Sequence, residues 1–98
     1  MDKEKEYSNY YAIIPANVRY DNRLNADEKL LYGEITAMLN KDGECCELNS
    51  YFAELYSVSN KMISICIKNL VNYGYLKIEI VRNEKAEFIR RNIMVKTH

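Results

Sequence analysis

The feature that most limits the fold of this sequence is a pair of short amphipathic segments joined by only three residues, Ser57-Val58-Ser59. The segments span about residues 50–56 and 60–73, and each carries apolar residues at helical spacing. Ala53 is small where the two helices must approach each other, and Val58 can fill the turn between them. Ile63 and Ile67 are placed to face back into the core. Two helices joined this closely are typical of a helix-turn-helix.

The chain before this pair predicts another helix, over about residues 26–40. Asn25 is a favourable N-cap, and Glu28 three residues later completes a capping box. An apolar stripe predicts the buried face, and the turn containing Gly43 predicts the end of the helix. By the same reasoning Asn49 and Ser59 cap the next two helices. The residues of the stripe are Leu30, Leu31, Ile35, Met38 and Leu39.

The chain after the pair predicts a β-hairpin. Residues 75–81 alternate Leu76, Ile78 and Ile80 with polar residues, which is typical of a half-buried strand, and residues 88–95 can return as its partner. Shorter β-prone runs occur at residues 10–14 and 44–48, and residues 15–24 are expected to be irregular. Three helices followed by a hairpin predict an α+β, mainly α fold, the winged helix-turn-helix.

Length and charge set the organisation of the molecule. Ninety-eight residues suffice for one domain, so we expect a charged flexible tail over 1–9 and a single domain over 10–98.

Residues 1–56 carry 6 basic and 11 acidic side chains, whereas residues 57–98 carry 8 basic and 3 acidic ones. Residues 57–98, which include the second helix of the pair and the hairpin, therefore have a net charge of +5 against −5 for residues 1–56, which favours two faces with different tasks.

The residues do not suggest an enzyme, a cofactor or a metal site. His98 is the only histidine, so a Ser-His or Cys-His pair is not expected. The three cysteines lack the spacing of a zinc site, and the three glycines do not form a phosphate-binding loop. No apolar run is long enough to cross a membrane. We therefore expect a cytoplasmic binding protein without catalytic residues, membrane contact or a small-molecule substrate.

Several segments resemble one known family. These are residues 14–21, 29–35 and 51–59, together with Gly74-Tyr75-Leu76. They resemble the N-terminal winged-helix domain of phage replisome organisers and plasmid replication initiators of Gram-positive bacteria, the DnaD-like group, over residues 10–81. The resemblance implies binding of origin DNA and nucleation of a replisome, often as a homodimer. Members usually continue into a C-terminal region that recruits helicase machinery.

The sequence departs from the family at the DNA-facing surface. Two positions that are usually basic in the third helix are Asn60 and Ile65 here, and Glu47 lies near the expected position of a phosphate. These departures leave two hypotheses open. In the first, the domain binds double-stranded DNA; in the second, the fold has become a protein-binding inhibitor of a host or phage protein, similar to some anti-CRISPR proteins.

Each hypothesis predicts its own residues. For DNA, the third helix supplies base and phosphate contacts, Tyr51 and Ser59 hold phosphates, and the hairpin tip reaches the backbone or minor groove. For a protein partner, an exposed apolar patch with an acidic neighbour forms the contact. The DNA-binding candidates are Tyr51, Ser59, Asn60, Lys61, Ser64, Lys68, Arg82 and Lys85. The protein-interface candidates are Glu47, Tyr51, Met62 and Ile65.

Overall fold

The computed structural model describes residues 12–96, and the predicted tail over 1–9 lies outside this range. Within the described residues, four helices precede one antiparallel hairpin, which confirms the winged helix-turn-helix. The elements are α1 (Ala16–Arg19), α2 (Ala26–Ala37), α3 (Asn49–Tyr56), α4 (Asn60–Asn72), β1 (Leu76–Arg82) and β2 (Phe88–Val95). Helices α3 and α4 form the helix-turn-helix, and the hairpin β1–β2 is the wing.

Helix α2 begins as predicted and ends earlier than predicted. Asn25 Oδ1 accepts a hydrogen bond from the Glu28 amide at 2.8 Å, and Glu28 Oε1 accepts one from the Asn25 amide at 2.9 Å. The helix ends at Ala37 rather than near residue 40. Asn40 Oδ1 accepts from the amides of Asp42 and Glu44, and this local turn competes with further helix. Gly43 completes the turn with a φ of 77°.

The caps of the helix-turn-helix were predicted correctly for α4 and wrongly for α3. Ser59 Oγ accepts from the Met62 amide at 3.0 Å and caps α4. Asn49 is the first residue of α3 rather than its N-cap, because the Asn49 side chain accepts a hydrogen bond from Arg91 instead. Between the helices, Ser57 adopts a left-handed φ of 57°, and the half-buried Val58 packs against the core as expected.

The core lies where α2, α3 and α4 meet the base of the wing. Ile63 and Ile67 are buried, as predicted, and so is Ala53. Leu30 is 53% exposed, so it does not belong to the buried stripe of α2. The buried apolar residues are Val18, Leu24, Leu31, Tyr32, Ile35, Cys45, Phe52, Ala53, Ile63, Cys66, Ile67, Leu70, Leu76 and Ile93.

The wing is only partly the half-buried hairpin that its alternation predicted. Leu76 is buried, but Ile78 and Ile80 on the same face are 38% and 43% exposed, because the hairpin extends beyond the helices. The register pairs Ile78 with Ile93 and Ile80 with Arg91, and it shifts between Val81 and Arg82. The predicted strand over 44–48 is reduced to a bridge between Cys45 and Ile93.

The segment before α2 is more ordered than its sequence suggested. It contains the short helix α1, whose Val18 is fully buried. The Tyr75 hydroxyl donates to the Asn17 carbonyl and to Asp21 Oδ2, at 3.0 and 2.6 Å. These bonds fix residues 17–21 to the junction between α4 and β1. Residues 12–14 of the predicted β-prone run form no strand, and Tyr10 and Tyr11 lie outside the described range.

Candidate nucleic-acid interface

Helix α4 presents one face to the core and a polar face to the solvent. The core face is formed by Ile63, Cys66, Ile67 and Leu70. The opposite face is exposed along the whole helix and carries two lysines and polar residues suited to hydrogen bonding. Its residues are Asn60, Lys61, Ser64, Ile65, Lys68 and Asn72. The structure thus brings the four α4 candidates for DNA binding, Asn60, Lys61, Ser64 and Lys68, onto one surface.

A buried carboxylate fixes the position of α4 against α2. Glu28 is only 2% exposed, and its Oε2 accepts a hydrogen bond from Asn69 Nδ2 at 2.6 Å. The other oxygen of the same carboxylate caps α2. The bond therefore links the start of α2 to the third turn of α4. The capping box was recognisable in the sequence, but the partner 41 residues away was not.

Ser59 at the cap of α4 and Tyr51 in the first turn of α3 are the two residues expected to hold phosphates. Ser59 is exposed, and its hydroxyl accepts the capping bond from Met62 while its proton can still be donated to a phosphate. Tyr51 packs its ring edge-on to Phe52, with ring centroids 5.3 Å apart. The Tyr51 ring is therefore partly used in packing. The proposed phosphate role of Tyr51 rests on the exposed remainder of the side chain.

A surface depression separates α4 from the wing. Ser64 and Lys68 line it from α4, Asn49 from α3, and Ile78 and Arg91 from the wing. The lining also includes the apolar residues Ile67, Val71 and Ile78, and the Arg91 guanidinium is bonded to Asn49 Oδ1. Lys68 is therefore the lining cation suited to a phosphate oxygen.

Sequence reasoning assigned Arg91 only a contribution of positive charge, and it missed the contacts that this residue makes with the start of α3. Its Nη1 donates to Asn49 Oδ1 and its Nη2 to the Glu47 carbonyl, both at 2.8 Å. Burial lowers the pKa of the Arg91 guanidinium from its ordinary value. Its Nε is buried and has no hydrogen-bond partner among the described residues. Arg91 thus fastens the wing to the start of α3, a contact across more than 40 residues that no local pattern indicates.

The tip of the wing carries Arg82 and Lys85, and both are exposed. Arg82 Nη1 donates to the Ala86 carbonyl at 3.1 Å, so part of this guanidinium closes the hairpin turn. Asn83 Oδ1 accepts from the amides of Lys85 and Glu87, which orders the same turn. The Lys85 side chain projects from an ordered tip.

The four candidates for a protein interface do not line one depression. Met62 and Ile65 line a depression between α4 and the start of α2, and Tyr51 and Glu47 are not among its lining residues. Met62 is half-buried and packs against the core. Glu47 is exposed beside Arg91, which its carbonyl binds. Ile65 is 48% exposed and Tyr51 is 36% exposed, and Glu47 lies on the wing side.

Three further features of residues 12–96 concern metal ligands, cysteine thiols and membrane-spanning helices. Within residues 12–96, no group of three or more histidine, cysteine, aspartate or glutamate side chains is placed to hold a metal ion. Burial raises the pKa of the thiols of Cys45 and Cys66, which favours their protonated, unreactive form. No helix in that range is long and apolar enough to cross a bilayer.

The sequence model of a protein family described as a helix-turn-helix domain matches residues 22–76, more than half of the chain. The chain belongs to this helix-turn-helix family. The matched range contains α2, α3 and α4 and ends at the first residue of β1. Membership supports DNA as the partner, because a helix-turn-helix places its second helix in the major groove. No curated protein matches the chain in sequence.

Proposed function

We propose that this helix-turn-helix protein binds double-stranded DNA with α4 in the major groove and the wing against the backbone. The observation that carries the proposal is the outward face of α4, where Lys61, Ser64 and Lys68 lie on one exposed surface. The N-terminal part of such a helix contacts base edges while the surrounding groups hold phosphates.

The surroundings of α4 support the same role. Lys68 lines the depression from α4, and Arg91 braces the wing on its other side. Arg82 and Lys85 add charge at the ordered tip. The bond between Glu28 and Asn69 holds α4 at a fixed position on α2. A rigidly held helix with flanking cations has the arrangement that groove docking requires.

The biological setting is a finer part of the proposal. The residues that resemble DnaD-like replisome organisers lie in α1, α2 and the helix-turn-helix, and they favour a phage or plasmid protein that initiates replication or regulates its own locus. A homodimer on paired half-sites is consistent with that role. Duplex DNA from the native locus should bind more tightly than a scrambled duplex of equal length.

The test is a titration of labelled duplex at several salt concentrations. Replacing Lys61→Ala together with Arg82→Ala should weaken binding about tenfold and reduce the salt slope by about two, because each lost phosphate contact removes about 0.9. The control Arg19→Ala with Lys41→Ala removes the same charge from exposed positions on α1 and in the turn after α2. Equal losses in the two double variants would contradict the assignment of the surface.

A protein-binding role is the second candidate, favoured by exposed apolar side chains on the wing. Ile78, Ile80, Phe88 and Ile89 are all more than a third exposed, and exposed apolar clusters mark partner surfaces. This candidate predicts that the wild-type protein fails to bind any duplex even at low salt. Salt-dependent duplex binding would favour the first proposal.

A further inference from the structure

Ile65 occupies an unexpected place on α4. It lies four residues after Lys61 and three before Lys68, so all three side chains follow one exposed stripe of the helix. Ile65 is 48% exposed, and it is the only large apolar side chain among the exposed residues of α4, which the structure describes in full. An exposed apolar side chain therefore lies in the middle of the proposed DNA-facing surface.

Folding does not explain an isoleucine at this position. Ile65 is not among the buried core residues or among the partly buried residues that pack against them. A β-branched residue is also less favourable than lysine or arginine on an exposed helix surface. Its side chain is stiff at χ1, so its methyl groups are presented in a nearly fixed direction.

The chemistry of the major groove offers one apolar partner. Among the base edges exposed there, only thymine carries a methyl group, and small apolar side chains recognise it by contact. The neighbours of Ile65 on α4 supply the complementary polar contacts, with Lys61 and Ser64 placed to bind bases or phosphates. The hydrogen bond between Glu28 and Asn69 holds α4 against α2 one turn beyond Ile65. The position of the Ile65 side chain on the protein surface is therefore fixed.

We propose that Ile65 is a specificity-determining residue that contacts the 5-methyl group of one thymine under the middle of α4. The inference rests on the proposed duplex binding and makes it more specific. In this arrangement Ile65 contributes to the preference for one base pair and not to the electrostatic attraction of the phosphates. The bound site should therefore contain an A·T pair whose thymine strand faces the second turn of α4.

The experiment begins with a randomised duplex library from which wild-type protein selects its preferred sequence. Each thymine of that sequence is then replaced in turn by uracil, which pairs identically and lacks only the methyl group. We expect one position at which uracil weakens wild-type binding about three- to fivefold, the value of one buried methyl group. With Ile65→Ala, thymine and uracil at that position should bind equally.

Matched variants separate this contact from a general effect. Ser64→Ala on the same exposed face should weaken binding to the thymine and uracil duplexes by the same factor, so that their ratio stays as in wild type, and circular dichroism should show that both variants retain the helical fold. The inference is overturned if wild-type binding tolerates uracil at every position, or if Ile65→Ala keeps the full preference. In either case duplex binding itself survives. Failure of the library to yield any bound duplex at low salt would instead reject the proposed function, and this inference with it.

Discussion

Helix α4 and the wing each combine apolar and polar residues at regular spacing in the sequence, but they meet the solvent in opposite ways. In α4 the apolar residues are buried and the outward face is polar apart from Ile65. In the wing, Ile78 and Ile80 stay substantially exposed, while two of its arginines are bound to backbone carbonyls of the protein. An alternating pattern therefore predicts which side of a strand is apolar, but that side is buried only where another element packs over it.

The difference has a geometric cause. Helix α4 crosses the middle of the molecule and packs against α2, α3 and β1. Within residues 12–96, the buried apolar side chains of the hairpin are Leu76 and Ile93, which lie near its base. One step further along, Ile80 pairs with Arg91 instead of another core residue. The polar surface of α4 is therefore held rigidly, and the wing is held by a few specific contacts.

The largest expected effect comes from equal truncations in the two regions. Leu70→Ala removes a fully buried side chain of α4 and should lower the free energy of unfolding by about 2–5 kcal/mol. Ile80→Ala on the wing should cost less than about 1 kcal/mol, because much of that side chain already faces water. Urea denaturation measures both. Similar costs would show that the exposed face of the wing is covered in solution.

A smaller effect is expected at the brace between the wing and α3. Arg91→Met removes two hydrogen bonds but also a partly buried cation with an unpaired Nε, so the net cost should be about 1 kcal/mol. Amide exchange at Ile93, whose N–H donates to Cys45, should become about fivefold faster. Arg90→Met is the control, since Arg90 Nε binds only Asn92 on its own strand among the described contacts. Equal acceleration by both variants would exclude a bracing role for Arg91.

The smallest effect concerns the junction that joins the two regions. Asp21 accepts hydrogen bonds from Arg23 and from Tyr75, and the Arg23 side chain holds the pKa of the Asp21 carboxyl well below its ordinary value. A lowered pKa in the folded state stabilises the protein above the ordinary carboxyl pKa, and this stabilisation is lost as the pH falls. Thermal denaturation from pH 7 to pH 3 should therefore show a smaller loss of Tm for Asp21→Asn than for wild type. Parallel curves would show that Asp21 does not titrate with folding.

Features that depend on neighbouring residues were predictable from the sequence, whereas a feature that depends on a distant residue was not. The capping box at Asn25 and Glu28, the cap at Ser59 and the left-handed glycines 43 and 74 were all predictable, because each depends on residues only a few positions apart. Asn49 looked like the same kind of cap and was not one. A distant arginine had taken its side-chain oxygen, and local preference yields to such tertiary contacts.

The candidate nucleic-acid interface likewise has features that local spacing predicts and features that only contacts between distant residues create. The identity of the second helix of the pair and its exposed lysines followed from helical periodicity. The brace formed by Arg91, the link from Glu28 to Asn69 and the separation of Glu47 from Met62 and Ile65 did not, because they join residues far apart in the chain.

Spacing and short-range hydrogen bonds set the order of the elements from α2 to β2, the caps of α2 and α4, and the helix-turn-helix, so these were readable from the residues alone. Packing between distant elements, by contrast, sets which apolar residues of the wing stay in water and which arginine holds the wing. Those outcomes depend on which elements meet in space, and long-range packing, unlike local periodicity, is not written in any single segment of the chain.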